Sequence, residues 1–96
     1  MVIQKNFEFW IKEKFNYKKE NLTKNNSKKY TNPIVQNYWE IWQASVLKLN
    51  NDNFESWAKD WGLLEGHFLK NKENKYINAT TKKYYYVWNE AKKNNQ

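Results

Sequence analysis

The sequence predicts an all-α fold in which two tandem helix-loop-helix repeats pack about a pseudo-twofold axis as one four-helix domain. Two observations support this prediction: apolar residues recur at helical spacing, and the pattern of the first half returns in the second. The 96 residues suffice for a single domain, with repeats at about 5–49 and 52–93 and a flexible tail at 94–96. The 19% of Phe, Trp and Tyr supplies a core that a chain this short otherwise lacks.

The second half of the chain repeats the aromatic pattern of the first. The match begins at an offset of 47 residues and continues at an offset of 46 after a one-residue deletion in the second copy. Five aromatic identities in register are hard to obtain by chance, so we infer a duplication. At the first offset the paired residues are 7–13 (FEFWIKE) with 54–60 (FESWAKD) and Leu22 with Leu69; at the second they are 29–32 (KYTN) with 75–78 (KYIN), Tyr38 with Tyr84, Ile41 with Val87, Trp42 with Trp88 and Ser45 with Ala91.

Four helices are predicted, at about 5–17, 33–49, 53–61 and 79–93, because apolar residues recur there at i, i+3, i+4 and i+7 or i+8. Short polar side chains precede the helices as candidate N-caps, and a glycine follows the third as a candidate C-cap. The candidate caps are Asn6, Asn32 with Pro33, Asn53, Asn78 and Gly62. The residues expected at equivalent core sites are Trp10, Trp57, Trp42 and Trp88, with Tyr30 and Tyr76 folded back onto their own units.

Two long connections, 18–31 and 63–78, join the helices of each repeat. Connections of this length are uncommon in a compact domain unless they carry structure of their own. They contain similar patches, 21–24 (NLTK) and 68–71 (FLKN). Because a duplicated unit usually packs about a pseudo-twofold axis, we expect these patches to meet as a short antiparallel pair.

The first copy carries a string of motifs over residues 7–45: FEFW at 7–10, NLTK at 21–24, KYTN at 29–32 and VQNYWEIWQA at 35–44. This string resembles a motif of many small phage and prophage proteins, F-E-x-W, a leucine, Y-x-(N or D) and A-W-x-x-W-x-A-A. The second copy departs from the motif at 85–86 and 89–91. The resemblance implies a helical module of phage origin and no defined activity. Because small basic proteins of such genomes often inhibit host defences, anti-CRISPR proteins among them, it favours an anti-defence role by association.

No catalytic, metal or cofactor site is predicted. There is no Cys, the only His is expected as an exposed loop residue, and the glycines do not form a phosphate loop. Glu8 and Glu55 occupy equivalent positions, where we expect them to complement the dipole in the first turn of a helix rather than to act as an acid-base pair. The residues considered and set aside are His67, Ser27, Ser45, Ser56, Gly62 and Gly66.

A location in the cytoplasm of the host cell is expected. No apolar run approaches the roughly 20 residues of a membrane span, the N-terminus lacks the apolar core of a signal peptide, and the lack of Cys suits a reducing compartment. The net charge of +7 comes from lysine alone, and the absence of Arg argues against a sequence-specific reader of nucleic acid. An AT-rich gene would explain the lysines without any functional role.

Several aromatic residues are not needed by the predicted core faces and are candidates for binding. Trp39 and Tyr85 are equivalent in the repeat, and the alternative for this pair is packing against the other copy. Lysines flank the aromatics, as in protein hot spots and in surfaces for single-stranded nucleic acid. The predicted partner-binding residues are Phe9, Trp39, Tyr85, Tyr86, Lys28, Lys29, Lys82 and Lys83.

Two functions fit this surface. The first is a non-catalytic inhibitor that docks on a host defence protein or ribonucleoprotein and blocks it by occupancy. The alternative is a non-specific nucleic-acid binder that uses the lysine pairs at 18–19, 28–29, 82–83 and 92–93. A structural role, including homo-oligomerisation through exposed aromatics, is the third hypothesis.

Overall fold

A computed structural model describes residues 2–47 and 54–94 of the chain. Its four helices confirm the all-α prediction: α1 (Val2–Phe15), α2 (Pro33–Leu47), α3 (Phe54–Trp61) and α4 (Ala79–Asn94). The predicted start of α1 is wrong, because the helix already includes Asn6, which therefore is not its N-cap. The predicted cap Asn53 and the last predicted residues of α2 lie outside the described residues.

The caps of the two long helices are confirmed. Asn32 Oδ1 accepts hydrogen bonds from the backbone N–H groups of Ile34 and Val35, at 2.9 and 3.3 Å. Asn78 Oδ1 accepts one from Thr81 N at 3.0 Å. These contacts satisfy N–H groups that a helix leaves without an intrahelical acceptor. At the other end of a helix, Gly62 has φ 134° and ends α3, as the sequence predicts.

The two long connections fold in the same way, each as a 3-10 turn followed by a tight hairpin. In the first, the turn Lys19–Leu22 leads to an antiparallel bridge between Lys24 and Tyr30. The loop inside this hairpin is closed by Asn25, whose Oδ1 accepts from Ser27 N at 2.9 Å. The second connection repeats the turn at Glu65–Phe68, the bridge between Lys70 and Tyr76, and the loop closure by Asn71.

The predicted pairing of the two patches with each other is therefore wrong. Each patch pairs with the chain six residues further on, in its own unit. The physical reason is that closing a short loop costs less conformational entropy than bringing distant segments together. A residue in the left-handed region makes each tight loop possible, Lys28 at φ 63° and Asn74 at φ 65°.

The 3-10 turns also correct the alignment of the repeat. They lie 46 residues apart (65 minus 19), so Leu22 corresponds to Phe68 and not to Leu69. Leu22 is buried, whereas Leu69 is exposed. The same register pairs Asn21 with His67, and both cap their turn: Asn21 Oδ1 accepts from Lys18 N, and His67 Nδ1 accepts from Leu64 N, each at 3.0 Å. His67 is thus a partly buried capping residue and not the free loop residue that we expected.

Each repeat forms its own aromatic core. The first unit comprises α1, the first hairpin and α2, and the second unit comprises α3, the second hairpin and α4. Trp10 packs against Trp42 with ring centroids 5.1 Å apart, and the equivalent pair Trp57 and Trp88 lies at 5.6 Å. Three of these four tryptophans are buried, as predicted. Trp57 is only partly buried, so the prediction of four equivalent core sites is wrong at that position.

The two units join through α2 and α4. The equivalent residues Tyr38 and Tyr84 meet edge to face at 6.1 Å, which is the contact that a two-fold relation requires. Ser45 Oγ donates to the carbonyl of Trp88 at 2.8 Å in the buried interface. The first helix of each unit also contacts the opposite unit. Trp10 Nε1 of α1 donates to Glu90 Oε1 at 3.0 Å, and Trp61 Nε1 of α3 donates to Glu40 Oε1 at 2.9 Å. None of the described helices has the length and apolar character to cross a membrane.

Candidate partner-binding groove

A cluster of one carboxylate, one phenol and one ammonium fixes the hairpin of the first unit to α1. Tyr30 Oη donates to Glu8 Oε2 at 2.6 Å, and Lys24 Nζ lies 3.2 Å from the same oxygen. The Lys24 ammonium also lies over the Tyr30 ring, 5.2 Å from its centroid. Glu8 is in the middle of α1, because the helix begins at Val2, so our expectation that it serves the first turn is wrong.

The second unit repeats this cluster. Tyr76 Oη donates to Glu55 Oε2 at 2.5 Å, and Lys70 Nζ lies 3.6 Å from that oxygen and 5.1 Å from the ring centroid. Burial raises the pKa of both Tyr30 and Tyr76, and the hydrogen bond to a carboxylate raises each pKa further. Both phenols therefore remain neutral donors, and both hairpins are held in the same position.

The two units differ beside this cluster. In the first unit, Gln36 Oε1 accepts from the backbone N–H of Tyr30 at 2.9 Å, and Gln36 Nε2 donates to Glu40 at 3.1 Å. The Trp39 ring packs on Phe7 with centroids 5.2 Å apart and is only 8% exposed. The space between hairpin and long helix is therefore filled.

In the second unit, the equivalents of Gln36, Trp39 and Glu40 are Lys82, Tyr85 and Tyr86. A lysine ammonium has no acceptor lone pair, so Lys82 cannot accept from the hairpin backbone as Gln36 does. The Tyr85 ring packs on Phe54 and Tyr76, each at 5.2 Å, but remains 41% exposed. A groove of about 450 Å³ opens here, lined by Lys70, Asn74, Lys75, Tyr76, Lys82, Tyr85, Tyr86 and Asn89.

The groove is basic and aromatic. Three lysines, three tyrosines and two asparagines line it, with no carboxylate among the lining residues. Lys70 is paired with Glu55, whereas Lys75 and Lys82 are exposed and carry no ion pair within the described part of the chain. The uncompensated positive charge lies on both walls, Lys75 on the hairpin and Lys82 on α4. A groove of this kind suits an anionic partner that also carries apolar surface.

The structure brings three of the eight predicted binding residues together in this groove, Lys82, Tyr85 and Tyr86. Tyr86 is 41% exposed and its ring also contacts Trp10 and Phe15 of α1, at 5.9 and 6.3 Å. The other five do not line the groove. Trp39 is buried in its own unit, Phe9 is 66% exposed on α1, Lys83 is exposed on α4, and Lys28 and Lys29 lie on the first hairpin.

The alternative that Trp39 and Tyr85 pack against the other copy is wrong. Both rings pack within their own unit, Trp39 on Phe7 and Tyr85 on Phe54. The face of α2 or α4 that carries this residue therefore packs against the first helix and the hairpin of the same repeat. The interface between units uses the next position along each long helix, where Glu40 and Tyr86 contact the short helix of the opposite unit.

Sequence reasoning missed Lys70, Lys75 and Tyr76 as lining residues, because the predicted pairing joins the two connections to each other and not each connection to itself. It also missed an exposed apolar pair, Leu69 and Ile77, which lie opposite each other with Ile77 N donating to Leu69 O at 3.0 Å. The predicted alignment pairs Leu69 with Leu22, which is buried. The offset of 46, which already pairs Ile77 with Thr31, pairs Leu69 with Thr23 instead.

Part of the chain is similar to a known protein family. Residues 3–49 match the sequence model of the Phage PhiTE protein family. No curated protein and no solved structure matches the chain. The matched segment contains all but the first residue of α1, the first hairpin and α2, which are the elements of the first unit. The first unit is thus similar to a family of phage proteins, and this similarity supports a phage origin for the small helical protein.

Proposed function

We propose that the protein is a phage-encoded, non-catalytic inhibitor of a host defence system. It docks the groove of its second unit on an acidic surface of a defence effector, a protein or ribonucleoprotein, and blocks it by occupancy. Anti-CRISPR activity is one form of this proposal. The site of action is the cytoplasm of the host cell.

The observation that carries the proposal is the difference between the two units. The first unit fills the space beside its hairpin with a buried tryptophan and a Gln–Glu pair. The second unit leaves an open groove at the same place, lined by tyrosines and lysines. Exposed tyrosines are enriched at hot spots of protein interfaces, where a ring gains contact area at small entropic cost. The opening therefore has the composition of a docking site.

A second feature favours a protein partner over nucleic acid. Leu69 and Ile77 are 63% and 59% exposed on the second hairpin. Their equivalents Thr23 and Thr31 share a hydrogen bond between their hydroxyl groups at 2.9 Å. An aliphatic pair contributes nothing to the binding of phosphate, but it gains roughly 25 cal/mol for each Å² that it buries against a protein surface.

The test is capture of defence proteins from nuclease-treated lysate of a bacterial host that carries a nuclease-based defence. We expect a protein of that defence system to be retained by the wild-type chain. The charge-reversed variant Lys75→Glu with Lys82→Glu loses it, because both changes place carboxylates in the groove. The same wild-type chain, expressed in that host, is expected to raise the plaquing of a sensitive phage.

The matched control is Lys29→Glu with Lys83→Glu. It changes the net charge by the same amount, and Lys29 is the repeat equivalent of Lys75, but neither residue lines the groove. We expect this variant to retain the defence protein. Retention that is equal for both variants, or the absence of any retained defence protein, would contradict the proposal.

A second candidate function is non-specific binding of nucleic acid. The observation in its favour is the interleaving of lysine and tyrosine in the groove, which suits a phosphate backbone with bases stacked on the rings. Its affinity would fall by orders of magnitude between about 50 and 200 mM salt, whereas a protein interface loses much less. Loss of all captured material after nuclease treatment would support this candidate.

A further inference from the structure

We infer that the groove binds an acidic side chain of a peptide segment, with one carboxylate oxygen accepting the backbone N–H of Tyr76. The charge of this carboxylate is neutralised by Lys75 and Lys82. This inference rests on the proposed docking function and names the chemistry of the docked segment.

The first unit shows which group fits this place. There, Gln36 Oε1 accepts from Tyr30 N at 2.9 Å, so a trigonal carbonyl oxygen lies beside the hairpin backbone. In the second unit the equivalent residue is Lys82, which donates only. Among the residues that the structure describes, none accepts a hydrogen bond from Tyr76 N. A carboxylate oxygen has the trigonal geometry of the carboxamide oxygen, so it can take the same position.

The charges around this position favour an anion. A carboxylate that leaves water needs both hydrogen-bond donors and a compensating charge. The backbone N–H supplies a donor, and Lys75 and Lys82 supply charge from the two walls of the groove. Lys70 contributes less, because its ammonium is 3.6 Å from Glu55. The arrangement thus offers more positive charge than one acidic side chain requires, which suits a segment with several.

The aromatic wall favours a peptide rather than a free anion. The Tyr85 ring is held by Phe54 and Tyr76 and presents its exposed part to the groove. An apolar side chain next to the acidic one can pack on this ring. The volume of about 450 Å³ accommodates a few side chains. The chain has no arginine, the residue best suited to phosphate oxygens, and this favours a carboxylate over a phosphodiester.

The experiment is a titration of the full ¹⁵N-labelled chain, followed by ¹H–¹⁵N spectra, with the blocked peptide Glu-Glu-Phe-Glu-Glu as the probe. We expect the Tyr76 amide proton to move downfield and to reach a plateau as the hydrogen bond forms. The peptide Gln-Gln-Phe-Gln-Gln keeps the ring and a carboxamide acceptor but removes the charge, so at the same concentration it should shift this resonance much less. An unchanged Tyr76 amide in the presence of saturating acidic peptide would overturn the inference.

Two variants separate a specific site from general attraction to a basic protein. Lys82→Gln restores the acceptor found in the first unit and should weaken binding about tenfold, equivalent to about 1.4 kcal/mol. Lys83→Gln changes the net charge equally on a neighbouring residue outside the groove, and binding should stay within about twofold. Equal weakening by both variants would overturn the inference. The spectra also report whether each variant remains folded.

A thymidine pentanucleotide is the third arm of the titration. Binding of this probe more tightly than the acidic peptide would overturn the inference in favour of nucleic acid. Failure of the inference is distinguishable from failure of the proposed function. A positive peptide titration with no captured defence protein contradicts only the proposed partner. Groove-dependent capture of a defence protein with a silent Tyr76 amide contradicts only the carboxylate.

Discussion

The two units share two helices, a hairpin and a Glu–Tyr–Lys cluster, but they differ in whether the space between the hairpin and the second helix is filled. In the first unit, the space between hairpin and long helix is closed by Trp39 and by the pair Gln36 and Glu40. In the second it is a groove with exposed Tyr85 and Lys82. Because the same hairpin and the same Glu–Tyr–Lys cluster border this space in both units, the difference comes from the side chains beside them. The repeat thus occurs once with this space filled and once with it open.

The largest expected effect on the free energy of unfolding comes from the equivalent tryptophans of α1 and α3. Trp10 is buried and donates to Glu90, whereas the equivalent Trp57 is only partly buried. Trp10→Ala should lower the free energy of unfolding by about 3–5 kcal/mol, and Trp57→Ala by less, because less apolar surface is lost. Urea denaturation measures both. A larger loss for Trp57→Ala would contradict the finding that Trp10 is the more buried of the two.

The next effect tests what the two units have in common. Tyr30→Phe and Tyr76→Phe each remove the hydrogen bond that the phenol donates to a carboxylate, Glu8 or Glu55. Tyr30→Phe also removes the hydrogen bond that Gln4 Nε2 donates to Tyr30 Oη at 3.1 Å. Each change should lower the free energy of unfolding by about 1.5–3 kcal/mol, the usual range for a bond to a charged group. Similar values from urea denaturation would support one shared framework. A loss at only one of the two sites would show that the clusters are not equivalent.

A smaller effect, this time a rise in the free energy of unfolding, is expected at Thr81, whose equivalent in the first unit is Val35. Both are fully buried, and Thr81 Oγ1 has no hydrogen-bond partner in the described part of the chain. Thr81→Val should raise the free energy of unfolding by about 1 kcal/mol, because it removes an unsatisfied hydroxyl at nearly constant volume. Val35→Thr should lower it by about 1–3 kcal/mol. Thermal unfolding gives both signs, and a destabilising Thr81→Val would contradict this account.

Much of the fold could be predicted from the sequence. The spacing of Phe7, Trp10 and Ile11 marks a helix face, and the caps Asn32 and Asn78 fix where the long helices begin. These signals are local, so they are legible in a single chain. The register of the connections could not be predicted in this way, because Leu22 and Leu69 are both apolar and align plausibly. The one-residue deletion lies instead within α1 and α3, which end at Phe15 and Trp61.

The groove could be predicted only in part. The change from Trp39 to Tyr85 and from Glu40 to Tyr86 is visible in the aligned repeats, and both tyrosines line the groove. The lining residue Lys75 was not found, because its position depends on a hairpin closed by Asn71 and by Asn74 in the left-handed region. Such a hairpin has too few residues to produce a periodic pattern.

The most direct test of the binding difference rewrites the second unit with residues of the first. Lys82→Gln with Tyr85→Trp copies the residues that close the space in the first unit. We expect a folded protein that no longer retains the host defence protein, with capture from nuclease-treated lysate as the measurement. Undiminished capture by this folded variant would contradict the claim that the open groove is the binding site.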